Sequence, residues 1–513
     1  MITHFLAQGP NLAIAAACVV LFLVYKFVWP TSLDSPEPPV LQHRVPFFGH
    51  FFSLLRLRYK YHVKNQSSAD PQTSENYKMP TYTLPMLGGK LYVTTSAKVA
   101  SSIFQKRTLT FEPLIDTFVR SLVGMDGKGM ELWTSPDFRG AIFKVLYRGL
   151  SGQPLADLTA AASANVAGFL DLMGQDELQV DNFYGWTRRV VSESVMGGFY
   201  GSLSPWRDPE VKDSFWTYSD ELHRLLPGIA PSIVASKAYR ARTKLIAALE
   251  AYIRKESDFG DEVLQFTRDR FAAGREFGMS VRDSAKIEVL LATALANIST
   301  LTYWILSNVY SNSQLLAELR EEIMCAVEVM DGRMTVHVGQ LKDRCPLLVS
   351  CVKETQRHTI VDSISRIVAT DTTVSDGSNS YLLQKGFTVQ MPLSVLHADP
   401  GVWGAGSDGW VGDRFVRLGY DASSPSPPGF LPFGGGKHIC PGRHLANNLM
   451  IAFSAQFLLA LDVSSAEGGP VQVPQAQVPW PTTGVGQPEA EPGLRVNIRR
   501  REGWEHVKWS AVF

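Results

Sequence analysis

The chain lacks a net charge of either sign, since 49 lysines and arginines balance 49 aspartates and glutamates over 513 residues. Without an excess of positive charge there is no electrostatic footprint for nucleic acid, and any basic docking patch is local. Cysteine is scarce as well. Cys18, Cys325, Cys345, Cys351 and Cys440 form an odd set without paired spacing, which argues against a disulfide framework and for a reducing compartment. Past Phe51 there is no internal repeat, so a solenoid or propeller is excluded. The N terminus has neither a basic leader nor a small-residue cleavage pattern before Trp29-Pro30, which places a cleaved signal peptide second among its readings.

What the chain has is apolar material, 45% of its residues, enough for a large core. Residues 12–29 read LAIAAACVVLFLVYKFVW, apolar except for Lys26 and about long enough to cross a bilayer core. One membrane span is expected. Lys26 and Arg44 on its C-terminal side predict a cytosolic body. Prolines 30, 36, 38, 39 and 46 follow, a stretch that cannot be helical and predicts a stiff connector. The expected organisation is therefore an anchor over residues 1–29, a proline-rich hinge over 30–50 and one catalytic domain over 51–513.

Helical periodicity dominates the body, as at residues 155–173, 238–255 and 280–308. Short β-like pieces near Tyr82 and at 90–94, 366–374, 387–391 and 494–499 are too few for an α/β barrel. The fold class read from this is mainly α, with a large helical region and a minor β region. Low-complexity loops occur at 421–429 and 464–492, the latter with a glycine-punctuated tip at 482–486.

One cysteine sits apart from the other four. Residues 431–446 read LPFGGGKHICPGRHLA, with Phe433, three glycines from Gly434, Lys437-His438, and then Cys440-Pro441-Gly442 ahead of a helical pattern. Glycines let backbone turn tightly beside a flat cofactor, and a proline at a helix start leaves Gly442 and its neighbours free to aim amides at the sulfur. Such a position lowers a thiol's pKa, and iron would keep it deprotonated as an electron-donating ligand. This spacing resembles the cysteine loop of the cytochrome P450 family: a Phe, a basic residue two before the Cys, and a Gly two after it. The resemblance implies haem b with Cys440 as axial iron ligand, Phe433 over the sulfur, Gly434 and Gly442 shaping the loop, and His438 where the family more often has an arginine on a haem propionate.

Upstream, Glu354 and Arg357 share a helix face three residues apart, but so do Glu221 and Arg224, and spacing cannot separate the two pairs. Chain order can. The family pattern is an E-x-x-R helix, a strand, then an arginine before the cysteine loop, and Arg414 stands in that last place. The resemblance implies a buried fork of Glu354, Arg357 and Arg414, structural because buried charges must be fully hydrogen-bonded. It also implies a propionate contact for Arg366.

A long run beginning with the cap Ser280-x-x-Asp283 stays uncharged from Val289 through Ala317. Its many hydrogen-bonding groups, among them Asn297, Ser299, Thr300 and Thr302, suit a helix buried beside a cofactor better than a second membrane span. In most of the family this helix carries an acid and an alcohol that relay protons during oxygen cleavage. Here Ile298 occupies the acid's place, while Ser299 and Thr300 keep hydroxyls near the alcohol's. Asn297, Ser299 and Thr300 are thus the candidate catalytic side chains.

Several segments resemble the branch containing cholesterol 7α-hydroxylase, sterol 12α-hydroxylase and prostacyclin synthase: residues 144–173, 225–245, 296–304 and 482–499. That branch includes members with Asn and no acid in the central helix. What the resemblance implies is a monooxygenase drawing electrons from NADPH through a separate reductase docked near Lys437 and Arg443. It would insert one oxygen atom into an apolar sterol-, terpenoid- or polyketide-like molecule in specialised metabolism. It would sit in the endoplasmic reticulum membrane by a single pass. Two alternatives stand beside it, an electron-independent peroxide isomerase and a non-catalytic membrane-tethered binder of haem or sterol. Residues 111–130, 359–365 and 482–487 resemble the family's pocket-lining segments, with Asp362, Asn297 and Thr483 as orienting groups.

Overall fold

A computed structural model describes residues 36–41, 48–57, 60–63, 79–86, 89–420, 425–476, 484–488 and 493–513. The expected anchor, Thr482 and Thr483 lie outside the described residues. The chain divides into two compact units, one from Met1–Phe111, Asp362–His397 and Gly435–His438, the other from Glu112–Val361, Ala398–Gly434 and Ile439–Phe513.

The first unit is built on a five-stranded sheet. Its strands are β1 (Thr81–Met86), β2 (Gly89–Thr94), β3 (Leu109–Thr110), β4 (Ser363–Val368) and β5 (Thr388–Pro392), in the order β1-β2-β5-β4-β3. β1 and β2 form an antiparallel hairpin with Thr81 opposite Thr94; β5 runs parallel to β2 and antiparallel to β4, where Val389 faces Arg366. Aromatic and β-branched side chains suit these strands, and Tyr82, Leu84, Leu91 and Val93 bury against Leu41 and Tyr61.

Part of the proline-rich stretch is fastened to this sheet's edge. Prolines have no amide to give but keep their carbonyls, so Thr83 donates from its backbone to Pro39 (2.8 Å) and from its hydroxyl to Pro38 (2.8 Å), and Leu382 N–H donates to Pro36 (2.7 Å). Buried Glu37 beside them accepts from Lys90 (2.6 Å) and Tyr92 (2.7 Å).

The second unit is helical. The helices that matter for the site are α1 (Phe183–Tyr200), α2 (Gln265–Glu276), α3 (Val281–Tyr310), α4 (Ser313–Met324), α5 (Val338–Arg344), α6 (Pro346–Thr359) and α7 (Arg443–Ala460). Helix α3 starts at the expected cap: Ser280 Oγ accepts from Asp283 N–H (3.0 Å) and donates to the Asp283 carboxylate (2.7 Å). Thirty residues give it a length of about 45 Å, and it packs against α1, α6 and α7. By length and composition α3 is apolar enough to cross a membrane, yet 67% of its most apolar window is buried inside the protein. Its one deeply buried acid, Glu288, is neutralised by a two-pronged bond from Arg270 of α2 (2.9 and 2.8 Å) and by Tyr200 Oη of α1 (2.8 Å). Helix α7 is buried continuously from Leu449 to Ala460, as a helix apolar on every face must be. Two three-stranded sheets, one joining Leu461–Ser465, Val496–Arg500 and Leu178–Val180 and the other joining Lys508–Val512, Arg333–His337 and Val327–Met330, complete a mainly helical fold with small β regions.

Candidate active site

Cys440 sits three residues ahead of Arg443, the first residue of α7, whose cap is Gly442. The loop before it turns on Gly434 and Gly436, both at positive φ (72° and 65°), a conformation that costs other residues about 1–2 kcal/mol each. Cys440 N–H closes the loop by donating to the Phe433 carbonyl (3.0 Å), so Phe433 is tied to the cysteine through its backbone. The nearby amides of Gly442 and Arg443 and the Arg443 charge all favour a thiolate. Burial outweighs them, and the free thiol's pKa lies above its ordinary value. Desolvation of the sulfur raises it, while the amides at the helix start lower it, as expected of that position, and recover part of that cost.

In the first unit, Arg366 and His438 come together. Arg366 is 4% exposed and donates to the carbonyls of Ser365 and Gly435 (2.9 Å each), with its guanidinium over the rings of Phe104 (5.4 Å) and Phe111 (5.5 Å). His438 lies edge-on to the same Phe111 ring (6.2 Å), its Nε2 3.4 Å from Thr110 Oγ1. No carboxylate among the described residues pairs with Arg366. Burial without a counter-charge pulls its pKa down to about 10. A desolvated guanidinium held only by carbonyls and ring faces calls for an anion. A Cβ at Gly435 would come within 2.6 Å of the Phe104 ring and one at Gly436 within 2.6 Å of the Phe104 carbonyl oxygen, so both positions require glycine for the close approach. Taken by itself, the partly buried sulfur of the second unit fits an iron ligand, and, within the first unit, a buried cation without a carboxylate partner among the described residues fits a carboxylate such as those of haem.

Within the second unit, Glu354 (0% exposed) accepts from Arg357 Nε (2.7 Å) and Nη2 (2.8 Å), Arg414 Nε (2.9 Å) and Val411 N–H (2.9 Å). The remaining guanidinium donors go to the carbonyls of Trp403, Gly406, Ser407 and Gly409. One carboxylate thus organises two arginines and the 403–411 loop. Glu221 and Arg224, with identical spacing, form a solvated surface pair.

Helix α3 is buried from Ile298 to Tyr310, but its preceding turns are open: Leu290, Leu291, Thr293, Leu295 and Asn297 are partly accessible and Ala294 is exposed. Asn297 lies in this window, and its amide makes no hydrogen bond among the described residues. Ser299 and Thr300 lie outside it. Thr300 shares a hydrogen bond with Tyr184 of α1 (3.0 Å), and the Ser299 hydroxyl is buried without a partner among the described residues. The structure therefore separates Asn297 from the two hydroxyls grouped with it by sequence.

Two residues given no role by sequence reasoning hold pocket-like segments in place. Trp304 of α3 donates to the Gly486 carbonyl (2.7 Å), while Gly486 N–H donates to Thr359 (2.8 Å) and Val361 N–H to Gly484 (3.3 Å), so the 484–486 tip is stitched to α3 and to the end of α6. Arg242, buried and without a carboxylate, donates to the carbonyls of Ser121 and Leu122 (3.1 and 3.2 Å) and closes the C-terminus of the Glu112–Leu122 helix. Neither has a local sequence signal. Asp362, where β4 begins, accepts from Ser363 N–H (2.7 Å), and burial pushes its carboxyl up to about 6.

The cytochrome P450 family model matches residues 246–490. A cytochrome P450 monooxygenase of Gibberella zeae is 28% identical over 520 residues, spanning 100% of this chain and 98% of the relative. The cytochrome P450 monooxygenase nodJ of Hypoxylon pulicicidum is 25% identical over 512 residues, spanning 96% and 95%. The 25-hydroxycholesterol 7-alpha-hydroxylase of Rattus norvegicus is 24% identical over 305 residues, 56% of this chain and 71% of that one. The retinoic acid-bound cyanobacterial CYP120A1 shares the fold, with a TM-score of 0.66 at 20% identity over 91% of this chain and 100% of that structure. Together with the geometry of the Cys440 loop, these likenesses support a cytochrome P450, an oxidoreductase of the monooxygenase kind.

Proposed function

We propose that this monooxygenase inserts one oxygen atom from O2 into an apolar sterol-, terpenoid- or polyketide-like molecule in specialised metabolism, with electrons passed from NADPH by a separate membrane-bound reductase. The observation that carries the reading is the Cys440 loop, a partly buried sulfur at the start of α7 whose charge the neighbouring Gly442 and Arg443 amides favour. When bound, haem supplies oxygen activation, and a thiolate ligand favours O–O cleavage. The chain supplies the rest. The Gly442 and Arg443 amides would steady the sulfur's charge, Arg366 and His438 would hold the cofactor's carboxylates, and the Glu354 fork keeps the 403–411 loop fixed. The open turns of α3 offer the substrate an apolar wall, with the Asn297 amide as its polar group. Asn297 both donates and accepts, so it can orient a substrate oxygen or hold the water that delivers a proton.

Similarity to fungal monooxygenases and to a sterol hydroxylase supports the substrate class. Residues 12–29 as a single anchor in the endoplasmic reticulum membrane, with a cytosolic body, are part of the same proposal. Exposed Ile229, Ile233 and Val234 (73%, 78% and 62%) make an apolar ridge suited to a bilayer surface. Ile298 in the acid's place, with Thr300 bonded to Tyr184, favours a second reading, electron-independent rearrangement of a peroxide. Incubation with NADPH, reductase and candidate apolar substrates decides between them. Monooxygenation consumes O2 and NADPH in step with a product one oxygen heavier. Turnover of a peroxide to an isomer without NADPH supports the second reading and defeats the first.

A further inference from the structure

The two cysteines at the junction of α4, α5 and α6 have no place in the site described above. Cys325 caps the C-terminus of α4 and is exposed; Cys345 lies between α5 and α6 and is buried. Their sulfurs are 3.9 Å apart across a separation of 20 residues. Each is held facing the other by the opposite strand of chain, Cys325 Sγ against the Arg344 carbonyl (3.4 Å) and Cys345 Sγ against the Glu322 carbonyl (3.7 Å). We propose that Cys325 and Cys345 are an oxidation site, closing to an intramolecular disulfide when the protein meets hydrogen peroxide.

The chemistry needs only that oxidant. The Cys325 thiolate attacks one peroxide oxygen, the O–O bond breaks, and sulfenic acid and water form. Cys345 then attacks the Cys325 sulfur, the S–O bond breaks, and the departing hydroxide leaves as water with the Cys345 proton. Two thiols and one peroxide become one disulfide and two waters. The order follows from access. Burial and the neighbouring Cys325 sulfur keep Cys345 protonated far above a thiol's ordinary range, so the exposed partner reacts first. Closing the gap to the ~2.05 Å of a disulfide moves the sulfurs together by roughly 2 Å, within reach of side-chain rotation and a small shift of the exposed α4 end.

The position gives the bond a consequence. Glu322 of α4 already bridges the same junction, accepting from Leu347 and Leu348 N–H at the start of α6 (2.8 and 2.9 Å). Helix α6 carries Glu354 and Arg357, and α5 packs against α7, which follows Cys440. A disulfide here braces the frame under the thiolate loop without touching it.

The test uses the full-length holoprotein, reduced, desalted, exposed to hydrogen peroxide, and then alkylated with N-ethylmaleimide and digested without reductant. The expected result is a dithiothreitol-reversible cross-link joining the Cys325 and Cys345 peptides of one chain, both losing the maleimide label together while Cys351 keeps it. In Cys325→Ser, with an unchanged reduced carbonyl spectrum to show that it folds, the cross-link is absent. Cys325 driven to sulfinic or sulfonic acid while Cys345 remains a free thiol overturns the proposal. So does cross-linking between chains, or no loss of label at peroxide levels that oxidise a free-cysteine control.

Discussion

Glu354→Gln keeps the shape of the residue and removes its charge. In the native protein both carboxylate oxygens are filled, by two bonds from Arg357, one from Arg414 and one from Val411 N–H, with the acid at 0% and the arginine side chains at 1% and 7% exposure. An amide in that place offers one oxygen and turns two N–H groups toward donors, and two buried guanidiniums lose their counter-charge. Breaking a buried charge group by removing one partner costs about 3–5 kcal/mol. That is a large share of the roughly 5–15 kcal/mol of a whole domain. Glu221→Gln is the matched control, because Glu221 and Arg224 have the same spacing but side chains 24% and 55% exposed. Its cost should be about 0–1 kcal/mol. Urea unfolding followed by tryptophan fluorescence, with haem content read alongside, measures both. Failure of Glu354→Gln to yield haem-loaded protein is the same result at its limit. If both variants unfold within about 0.5 kcal/mol of each other, the assignment of Glu354 as the organiser of its loop is wrong.

Arg366→Ala removes a buried cation that has no protein anion, so the haem-free protein should be no less stable, while haem loss should quicken by about 10- to 150-fold, the value of one charge-assisted bond; equal destabilisation with and without haem contradicts the role. Asp362 has its carboxyl raised to about 6 from 3.8, so the folded state holds its proton longer than the unfolded chain, and stability falls as pH rises through that interval. Asp362→Asn should therefore gain up to about 3 kcal/mol above pH 6 and flatten that part of the pH profile, and a loss at pH 7 would show that the carboxylate is paired. Asn297→Ala should lower product formed per NADPH oxidised, whereas Thr300→Val, which deletes only the bond to Tyr184, should cost about 1 kcal/mol of stability and leave that ratio near the native value. The reverse pattern would return proton handling to Thr300.

What could be read from the sequence were features set by local chemistry. The turn at 431–446 needs glycines, a proline and a cysteine in fixed order, and the Ser280 cap and the apolar run behind it announce α3. The strands at Thr81–Met86, Gly89–Thr94 and Thr388–Pro392 show themselves by their β-branched and aromatic content. What could not be read depends on which way a side chain points once helices pack. Asn297 and Thr300 are three residues apart, yet one faces an opening and the other faces α1. Trp304 and Arg242 act on carbonyls 182 and about 120 residues away, a relation no local pattern encodes. The thiol of Cys440 feels both kinds of influence: the helix terminus that lowers its pKa is a neighbour in sequence, whereas the burial that raises it comes from the whole fold.

The central claim is that Cys440 is the iron's ligand. The direct measurement is the reduced carbonyl spectrum of the purified holoprotein and of Cys440→His. The native protein should show the red-shifted absorption that only a thiolate ligand produces, and the variant should bind haem with the shorter-wavelength band of a nitrogen ligand. A native spectrum of the nitrogen-ligand kind in freshly purified protein, or a thiolate band that survives in the variant, would contradict the account.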